Sequence, residues 1–219
     1  LSPDKASHCV KLAELYRAQR KLGEAIKAVK RALELEPQNM TSQEWLLQMS
    51  LETGQLEEAV KECKKVIKRR PRSLFARDIL AATYLQQGEI DKALRVTSQL
   101  VGLNPSDPAN HFKKGVLYQQ KGEIGKSIEE FSRVIEMDSD LDMAQAALDS
   151  VSALDGYQLR QIATLAAEDS LFQAKLTRDP ETAVAERGFV LSAVGMMTLR
   201  QIDFMSISTP SGDSQKYYH

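Results

Sequence analysis

The chain has 219 residues, of which 42% are hydrophobic and 27% are charged, with a formal net charge of −1. This near-neutral balance argues against a chain-wide nucleic-acid-binding surface and against a disordered acidic protein. No run of about 18 apolar residues is present, so we predict no membrane span. Two cysteines without a CxxC motif favour a reducing, cytoplasmic location, and a targeting segment removed from the N-terminal side stays an alternative.

From the amino end onward, residues of several types recur at a spacing of 34. Each type has a role in a helix–turn–helix unit, because glycine adopts the left-handed turn, alanine lets two helices approach closely, and proline ends the second helix. Four residue types share the interval and the phase: Pro37, Pro71 and Pro105; Gly54, Gly88 and Gly122; Ala25, Ala59 and Ala93; Leu12, Leu46 and Leu80. The period therefore predicts an all-α array of paired helices.

These residues resemble the tetratricopeptide-repeat (TPR) family, whose unit is a 34-residue helix–turn–helix. The resemblance covers residues 6–141 and implies an all-α solenoid of four repeats, at 6–39, 40–73, 74–107 and 108–141. A further helix over 142–154 would cap the stack, which gives one TPR domain over residues 1–154. Three positions depart from the pattern: Arg20 at the first turn glycine, Ser127 at the fourth alanine and Ser139 at a fourth proline.

In this family the first helix of each repeat lines a concave groove, so the resemblance implies inward-facing residues at fixed places. We predict ten partner-binding residues: Glu44, Gln48, Leu51, Phe75, Asp78, Leu85, Phe112, Val116, Gln119 and Gln120. Clustered exposed apolar residues mark contact surfaces, and the expected anchors are Phe75, Leu85, Phe112 and Val116. Because burial of each large apolar side chain contributes about 1.5–3 kcal/mol, this set predicts micromolar binding of a helix or an extended segment.

The 34-residue period ends after Leu154, and Asp155-Gly156 predicts a helix break. A small helical segment is expected over residues 155–205, with short helices over 157–167 and 168–177. A third helix begins at Asp179-Pro180-Glu181, a well-formed helix start, and ends at Gly188. Ser192 caps the last helix, and residues 206–219 form a polar tail.

The motifs of this segment are similar to the leader-peptide family derived from the nitrile hydratase α subunit. The resemblance covers residues 155–204 and rests on Phe172, Leu176, Asp179-Pro180, a short helix and the Leu191-Ser192 cap. It implies a recognition handle for modifying enzymes. It carries no metal and no hydratase activity, because no cysteine follows Cys63.

Motifs for catalysis, phosphate binding or metal binding do not occur in the sequence. Cys9 and Cys63 fall at interior places of the repeat and are expected to pack as small apolar groups. The three histidines have no metal-ligand spacing, and the carboxylates are expected on solvated faces. We therefore predict a protein that is not an enzyme and has no cofactor and no metal site.

The densest charge cluster is basic and consists of Lys61, Lys64, Lys65, Lys68, Arg69, Arg70 and Arg72. One interpretation is a site for an anionic partner. The other is a solvated outer helix whose last-turn cations complement the helix dipole. No aromatic residue interleaves with these charges, which favours the second interpretation, and we predict no nucleic-acid partner.

Together these patterns predict a scaffold or adaptor that binds a protein or peptide in its groove. Two alternatives stay open. In one, the leader-like C-terminal segment makes the chain a peptide substrate or carrier of a modification or secretion system. In the other, this segment occupies the groove of its own chain, or of a neighbour in a homo-oligomer, and the protein is a self-occluding regulator.

Overall fold

A computed structural model describes residues 5–137 and 141–206. Within these ranges no β-strand occurs, so the predicted all-α class is confirmed. The chain divides into two compact units, Leu1–Asn110 and His111–His219. The helices are α1 Ala6–Ala18, α2 Leu22–Leu35, α3 Met40–Glu52, α4 Leu56–Arg69, α5 Leu74–Gln86, α6 Ile90–Leu103, α7 Pro108–Lys121, α8 Ile124–Glu136, α9 Leu141–Glu168, α10 Ser170–Arg178, α11 Pro180–Glu186 and α12 Ala193–Gln201, followed by a 3-10 turn at Phe204–Ser206.

The first unit is a succession of helix pairs in which each helix packs on the next along the chain, from α1 through α6. The small residues of the period, Ala25, Ala59 and Ala93, are fully buried, as expected for places where paired helices approach each other. Asn39 and Ser73 begin the second and third pairs by accepting hydrogen bonds from backbone amides three residues later. The repeating helix–turn–helix architecture is thus confirmed.

The turns inside the helix pairs have the left-handed backbone that the glycine period predicts. Gly54, Gly88 and Gly122 have φ angles of 70°, 74° and 79°. Arg20 stands at the equivalent place of the first pair and has a φ of 57°. Its Cβ makes this conformation unfavourable by about 1–2 kcal/mol, so the first turn is strained where the other three are not.

The long helix α9 corrects the sequence analysis. It runs from Leu141 to Glu168, so the predicted helix break at Asp155-Gly156 is wrong. The helices predicted over 142–154 and 157–167 are parts of this single helix. The physical reason is that the Asp155 side chain is buried and accepts hydrogen bonds from Ser192 instead of competing for its own backbone. The domain boundary after Leu154 stays a prediction.

The short C-terminal helices begin and end where their cap residues predicted. Asp179 accepts a hydrogen bond from the Thr182 amide at 3.2 Å, and α11 begins at Pro180. Gly188, with a φ of 78°, follows this helix. Ser192 caps α12 by accepting a hydrogen bond from the Gly195 amide at 3.1 Å. These helix starts are confirmed.

A separate apolar core holds the C-terminal helices on the second half of α9. Its buried members come from every element between α9 and the 3-10 turn: Ile162, Ala166, Phe172, Leu176, Ala183, Val184, Leu199 and Phe204. Burial of this many large apolar groups is what stabilises helices of seven to nine residues, which are too short to persist alone. The predicted polar tail lies outside the described residues, apart from Ser206.

Candidate protein-interaction surface

Six of the ten predicted binding residues lie on α3 and α5, which pack side by side in the first unit. Buried leucines, Leu46 on α3 and Leu80 on α5, fix how each helix is rotated. Phe75 keeps 37% of its surface exposed. We call the six residues the first-unit face; besides Phe75 they are half-buried and comprise Glu44, Gln48, Leu51, Asp78 and Leu85.

Charge on the first-unit face is predominantly negative. Glu44 and Asp78 occupy the same place in successive repeats, 34 residues apart. Phe75 precedes Asp78 by three residues, so the two side chains lie on one side of α5. Arg17 on the preceding helix α1 is paired with another carboxylate, because its Nη2 lies 3.9 Å from Glu52 Oε1 of α3. The face therefore combines an aromatic side chain with carboxylates.

The other four predicted residues belong to α7 in the second unit, where two of them have a different role. Phe112 and Val116 are half-buried and pack against the core formed by α8 and α9. The rings of Phe112 and Phe131 have centroids 5.2 Å apart and are tilted by 59°. Gln119 and Gln120 are exposed. Phe112 and Val116 therefore contribute to a core with part of their surface, and their role as binding anchors stays a prediction.

A glycine on α7 explains why Phe112 is drawn into the core. A Cβ at Gly115 would lie 2.8 Å from the ring of Phe131, which is fully buried. Because residue 115 has no side chain, that ring reaches α7 and offers Phe112 an aromatic partner. Ser127, which replaces the small alanine of the fourth repeat, is buried and donates a hydrogen bond to the Gly115 carbonyl at 2.8 Å.

A buried ionic cluster links α7 and α8. Glu130 is 4% exposed, and its carboxylate lies 2.6 Å from Lys114 Nζ and 2.7 Å from His111 Nδ1. Burial alone would raise the pKa of Glu130, but hydrogen bonds from Lys114 and His111 outweigh it and hold this pKa below its usual value. The expectation that carboxylates sit on solvated faces is wrong here. The sequence did carry a signal for the burial of Glu130, because its neighbours on α8 include the apolar residues Ile128, Phe131 and Val134.

Two family models match the part of the chain that forms the helix pairs. One, described as tetratricopeptide repeat, matches residues 80–142. The other, described as anaphase-promoting complex, cyclosome, subunit 3, matches residues 18–100. Together with the 34-residue spacing of the helix pairs, these matches decide the family. This chain is a TPR protein.

Solved structures share the fold of this TPR protein. MamA 41-end from Desulfovibrio magneticus RS-1 is 18% identical with a TM-score of 0.57, and the match covers 62% of this chain and 79% of that chain. TTC0263 from Thermus thermophilus is 21% identical with a TM-score of 0.53, covering 73% and 89%. YrrB is 18% identical with a TM-score of 0.57, covering 68% and 76%. Comparison with curated proteins returned no match.

Beyond the region matched by the family models, a polar clamp on α9 holds the segment that leads into α12 of the TPR protein. Gln158 Nε2 donates to the Val190 carbonyl at 2.7 Å, and the Val190 amide donates to Gln158 Oε1 at 2.9 Å. One turn earlier, the Asp155 carboxylate accepts from the Ser192 amide at 2.9 Å and from the Ser192 hydroxyl. Asp155 and Gln158 are 5% and 2% exposed, so the hydrogen bonds of the clamp take the place of the bonds to water that these side chains lose on burial.

Sequence analysis missed this clamp although a signal was present. Val151, Asp155, Gln158, Ile162 and Ala166 follow one another at intervals of three or four residues, and all are buried. This is the spacing of one helix face. Two polar residues inside an apolar stripe predict a buried hydrogen-bonded site better than they predict a helix break, because buried polar groups need partners.

The two thiols of the TPR protein are buried, as their places in the repeat predicted. Burial, together with the negative charge of Glu62, raises the pKa of Cys63 to about 12, so its reactive thiolate is scarce at neutral pH. No group of three or more His, Cys, Asp or Glu side chains in residues 5–137 and 141–206 could hold a metal ion. Across the helices that the structure places, none is long and apolar enough to cross a membrane.

Proposed function

We propose that this TPR protein is a non-catalytic scaffold that binds a partner polypeptide through the first-unit face. The observation that carries the proposal is Phe75, a large aromatic residue that keeps 37% of its surface exposed on a helix whose other side is buried. Exposed aromatic residues next to charged ones are common binding anchors. One structural neighbour, YrrB, is described as a TPR protein with an unusual peptide-binding site, which supports peptide binding by this fold.

The exposed area limits what apolar contacts contribute. Full burial of a large apolar side chain is worth about 1.5–3 kcal/mol, so the 37% that Phe75 still exposes corresponds to about 0.6–1.1 kcal/mol. Leu85 is half-buried and offers less, while Phe112 and Val116 already pack in a core. Apolar burial alone therefore does not reach micromolar affinity once association costs are included. Polar contacts must supply the remainder.

The Glu44 carboxylate of the first-unit face defines the chemistry of those polar contacts. It favours lysine or arginine in the partner, next to an apolar side chain that covers Phe75. The amide of Gln48 can bond to the partner backbone. The exposed Gln119 and Gln120 offer the same chemistry within the second unit. The ligand proposed for the first-unit face is thus a cationic peptide with one or two large apolar residues.

The test uses peptides of about 12 residues selected from a random library against the full chain, with affinity measured by fluorescence anisotropy. Phe75→Ala should weaken binding of the selected peptides by about three- to sixfold, which corresponds to the exposed area of the ring. Glu44→Gln should weaken lysine-containing peptides and leave peptides without cations unchanged. Both variants should keep the wild-type melting temperature within a few degrees, since neither position is in the core.

The matched control is Leu171→Ala. Leu171 is 77% exposed and lies on α10 in the second unit, so this change removes an exposed apolar side chain that does not belong to the first-unit face. Peptide affinity should stay at the wild-type value. Equal loss of affinity in Phe75→Ala and Leu171→Ala, or selection of predominantly acidic peptides, would contradict the proposal.

A second candidate function is supported by the compact core of the C-terminal helices. Phe172, Leu176, Val184 and Leu199 pack together with α9, so this segment is a folded unit rather than a loose extension. As a leader-like handle, it would present the residues that follow it to a modifying enzyme. Intact-mass measurement of the protein from its native host tests this, because an unmodified chain would contradict it. Self-occlusion of the groove by this segment stays a prediction.

A further inference from the structure

The helix α4 presents a band of cations whose direction is fixed by its buried side. Ala59 and Cys63 are fully buried and Val66 is 7% exposed, so this side of the helix faces the core of the first unit. The opposite side carries exposed lysines at intervals of three and four residues, which is one helix face. We call this band the α4 basic stripe: Lys61, Lys64, Lys65 and Lys68, followed by the exposed Arg69 and Arg72.

The ion pairs of the described residues leave most of these cations unmatched. Lys65 Nζ pairs with Glu62 Oε1 at 2.5 Å. Within the described residues, Lys61, Lys64 and Lys68 have no carboxylate within ion-pair distance, and the same holds for Arg69 and Arg72. Cations on the preceding second helix α2 are neutralised, in the pairs Lys27–Glu24, Lys30–Glu58 and Arg31–Glu34. The stripe is therefore an uncompensated charge cluster, not a general property of this surface.

The fold itself does not require the stripe. In α6, which is the equivalent helix of the next repeat, the places of Lys64 and Lys68 are taken by Ser98 and Gly102. Both helices pack in the same way, with Ala59 and Ala93 fully buried. The helical repeat is thus formed equally well with neutral residues at these places.

Helix electrostatics explains only the end of the stripe. Lys68 lies in the last turn of α4, where cations complement the helix dipole. Lys61 and Lys64 lie in the middle of the helix, and the favourable interaction with the helix dipole does not extend beyond the last turn. Like charges three and four residues apart repel, so these lysines destabilise an isolated α4 by a few tenths of a kcal/mol for each pair. A bound anionic partner would offset this repulsion through its own attraction to the lysines.

We propose that the α4 basic stripe is a docking surface for an acidic helix of a partner protein. The lysines form two i,i+4 pairs, Lys61 with Lys65 and Lys64 with Lys68, and carboxylates with the same spacing on a partner helix match them. From Lys61 to Lys68 the stripe rises about 10 Å, which equals two turns of such a helix. This surface does not include the first-unit face, so the proposal is independent of the function proposed above.

The surroundings of the stripe favour a protein over a nucleic acid or a membrane. Glu57 and the half-buried Val60 line the same depression as the lysines. A carboxylate there would repel a phosphate chain, whereas a peptide can place a donor opposite it. Tyr84 borders the adjoining depression but is only 8% exposed, so it offers no open ring for base stacking. The stripe residues include no exposed apolar side chain that would insert into lipid.

The test measures binding of a fluorescein-labelled, alanine-rich peptide of about 18 residues with glutamates at i,i+4 spacing, in about 0.15 M NaCl. The full chain should bind this peptide saturably, and affinity should fall as salt rises. The triple variant Lys61→Glu, Lys64→Glu, Lys68→Glu should lose at least about tenfold in affinity. Because all three side chains are exposed, its circular dichroism spectrum should stay that of the wild type.

The control variant is Lys11→Glu, Lys21→Glu, Arg160→Glu, which makes the same change in net charge at exposed places outside the stripe. Its affinity for the peptide should stay within about twofold of wild type. An equal loss of peptide affinity in both variants would show that only the net charge matters and would overturn the proposal. An absence of saturable binding would overturn it too. Tighter binding of a poly-dT oligonucleotide, or of phosphatidylserine-containing vesicles, would overturn it as well, by assigning the stripe to a different partner class.

Discussion

The contact between α12 and α9 allows a sharp test of the polar clamp, because two substitutions there should each destabilise alone and compensate in combination. Gly195 lies in the first turn of α12, directly above the Asp155 carboxylate. A Cβ at residue 195 would lie 2.5 Å from the Asp155 carboxyl carbon and 2.6 Å from Oδ1. The carboxylate cannot simply move aside, because the Ser192 amide and hydroxyl both donate to it.

The magnitudes follow from these contacts. Gly195→Ala would normally stabilise a helix by up to about 1 kcal/mol, but overpacking against a fixed group costs about 1–3 kcal/mol, so the single variant should be about 1–2 kcal/mol less stable. Asp155→Ala removes the acceptor of two hydrogen bonds and should cost about 2–4 kcal/mol. In the double variant the obstructing carboxylate is gone. Gly195→Ala should then stabilise by up to about 1 kcal/mol.

Urea denaturation of the wild type, the two single variants and the double variant, monitored by circular dichroism, gives the double-mutant cycle. Hydrogen exchange of the α12 amides measures the change in stability at this contact even where the two units unfold separately. The decisive outcome is a change of sign for Gly195→Ala between the wild-type background and the Asp155→Ala background. A loss of equal size in both backgrounds would refute the argument, since neighbouring groups that clash must show non-additive effects.

Three further predictions concern other parts of the chain. Arg20→Gly should raise the free energy of unfolding by about 1 kcal/mol in urea denaturation, because the φ of 57° at this residue is unfavourable with a Cβ present; no gain would contradict the strain. At pH 8 roughly one Cys63 in ten thousand is a thiolate, so iodoacetamide followed by mass spectrometry should label Cys63 much more slowly in the native protein than in urea. Because the pKa of Glu130 is lowered in the folded state, its stabilising effect is present above the ordinary value of 4.5 and is lost as pH falls through the folded value. Stability should thus depend less on pH below about 5 in Glu130→Gln than in wild type, and parallel pH profiles would argue against a role of this carboxylate.

Much of the fold could be predicted because the sequence repeats its backbone requirements. Glycine at the turns and alanine at the close contacts recur every 34 residues, and only a narrow set of conformations satisfies both. The C-terminal caps at Asp179 and Ser192 are equally local, so they were found from short motifs. Continuity of α9 has no such cap motif: its signal is the helical spacing of buried residues from Val151 to Ala166, and the partner of the buried Asp155 carboxylate, Ser192, lies 37 residues away.

The candidate binding surface was predicted less well, for a related reason. A place in the repeat indicates the general direction of a side chain, but not how much of it neighbouring residues cover. Phe75 stays open, whereas Phe112 packs on Phe131 because Gly115 lets that ring approach α7. The register alone assigns both phenylalanines to the groove. Their difference arises from a contact between two helices that no pattern in either helix contains.

The period also separates the residues that form the fold from those that give this chain its own surfaces. Phe75 has Ser7, Thr41 and Ala109 at the equivalent places of the other repeats, so the repeat does not require an aromatic residue there. Lys61, Lys64 and Lys65 of the α4 basic stripe have cationic counterparts in α2, at Lys27, Lys30 and Arg31, but all three α2 cations are paired with carboxylates. Buried side chains that recur stabilise the backbone, whereas exposed ones that differ in identity or pairing between repeats are free to specify partners. Because the first-unit face is acidic and the α4 basic stripe is cationic, the two surfaces should select ligands of opposite charge, and neither ligand should displace the other.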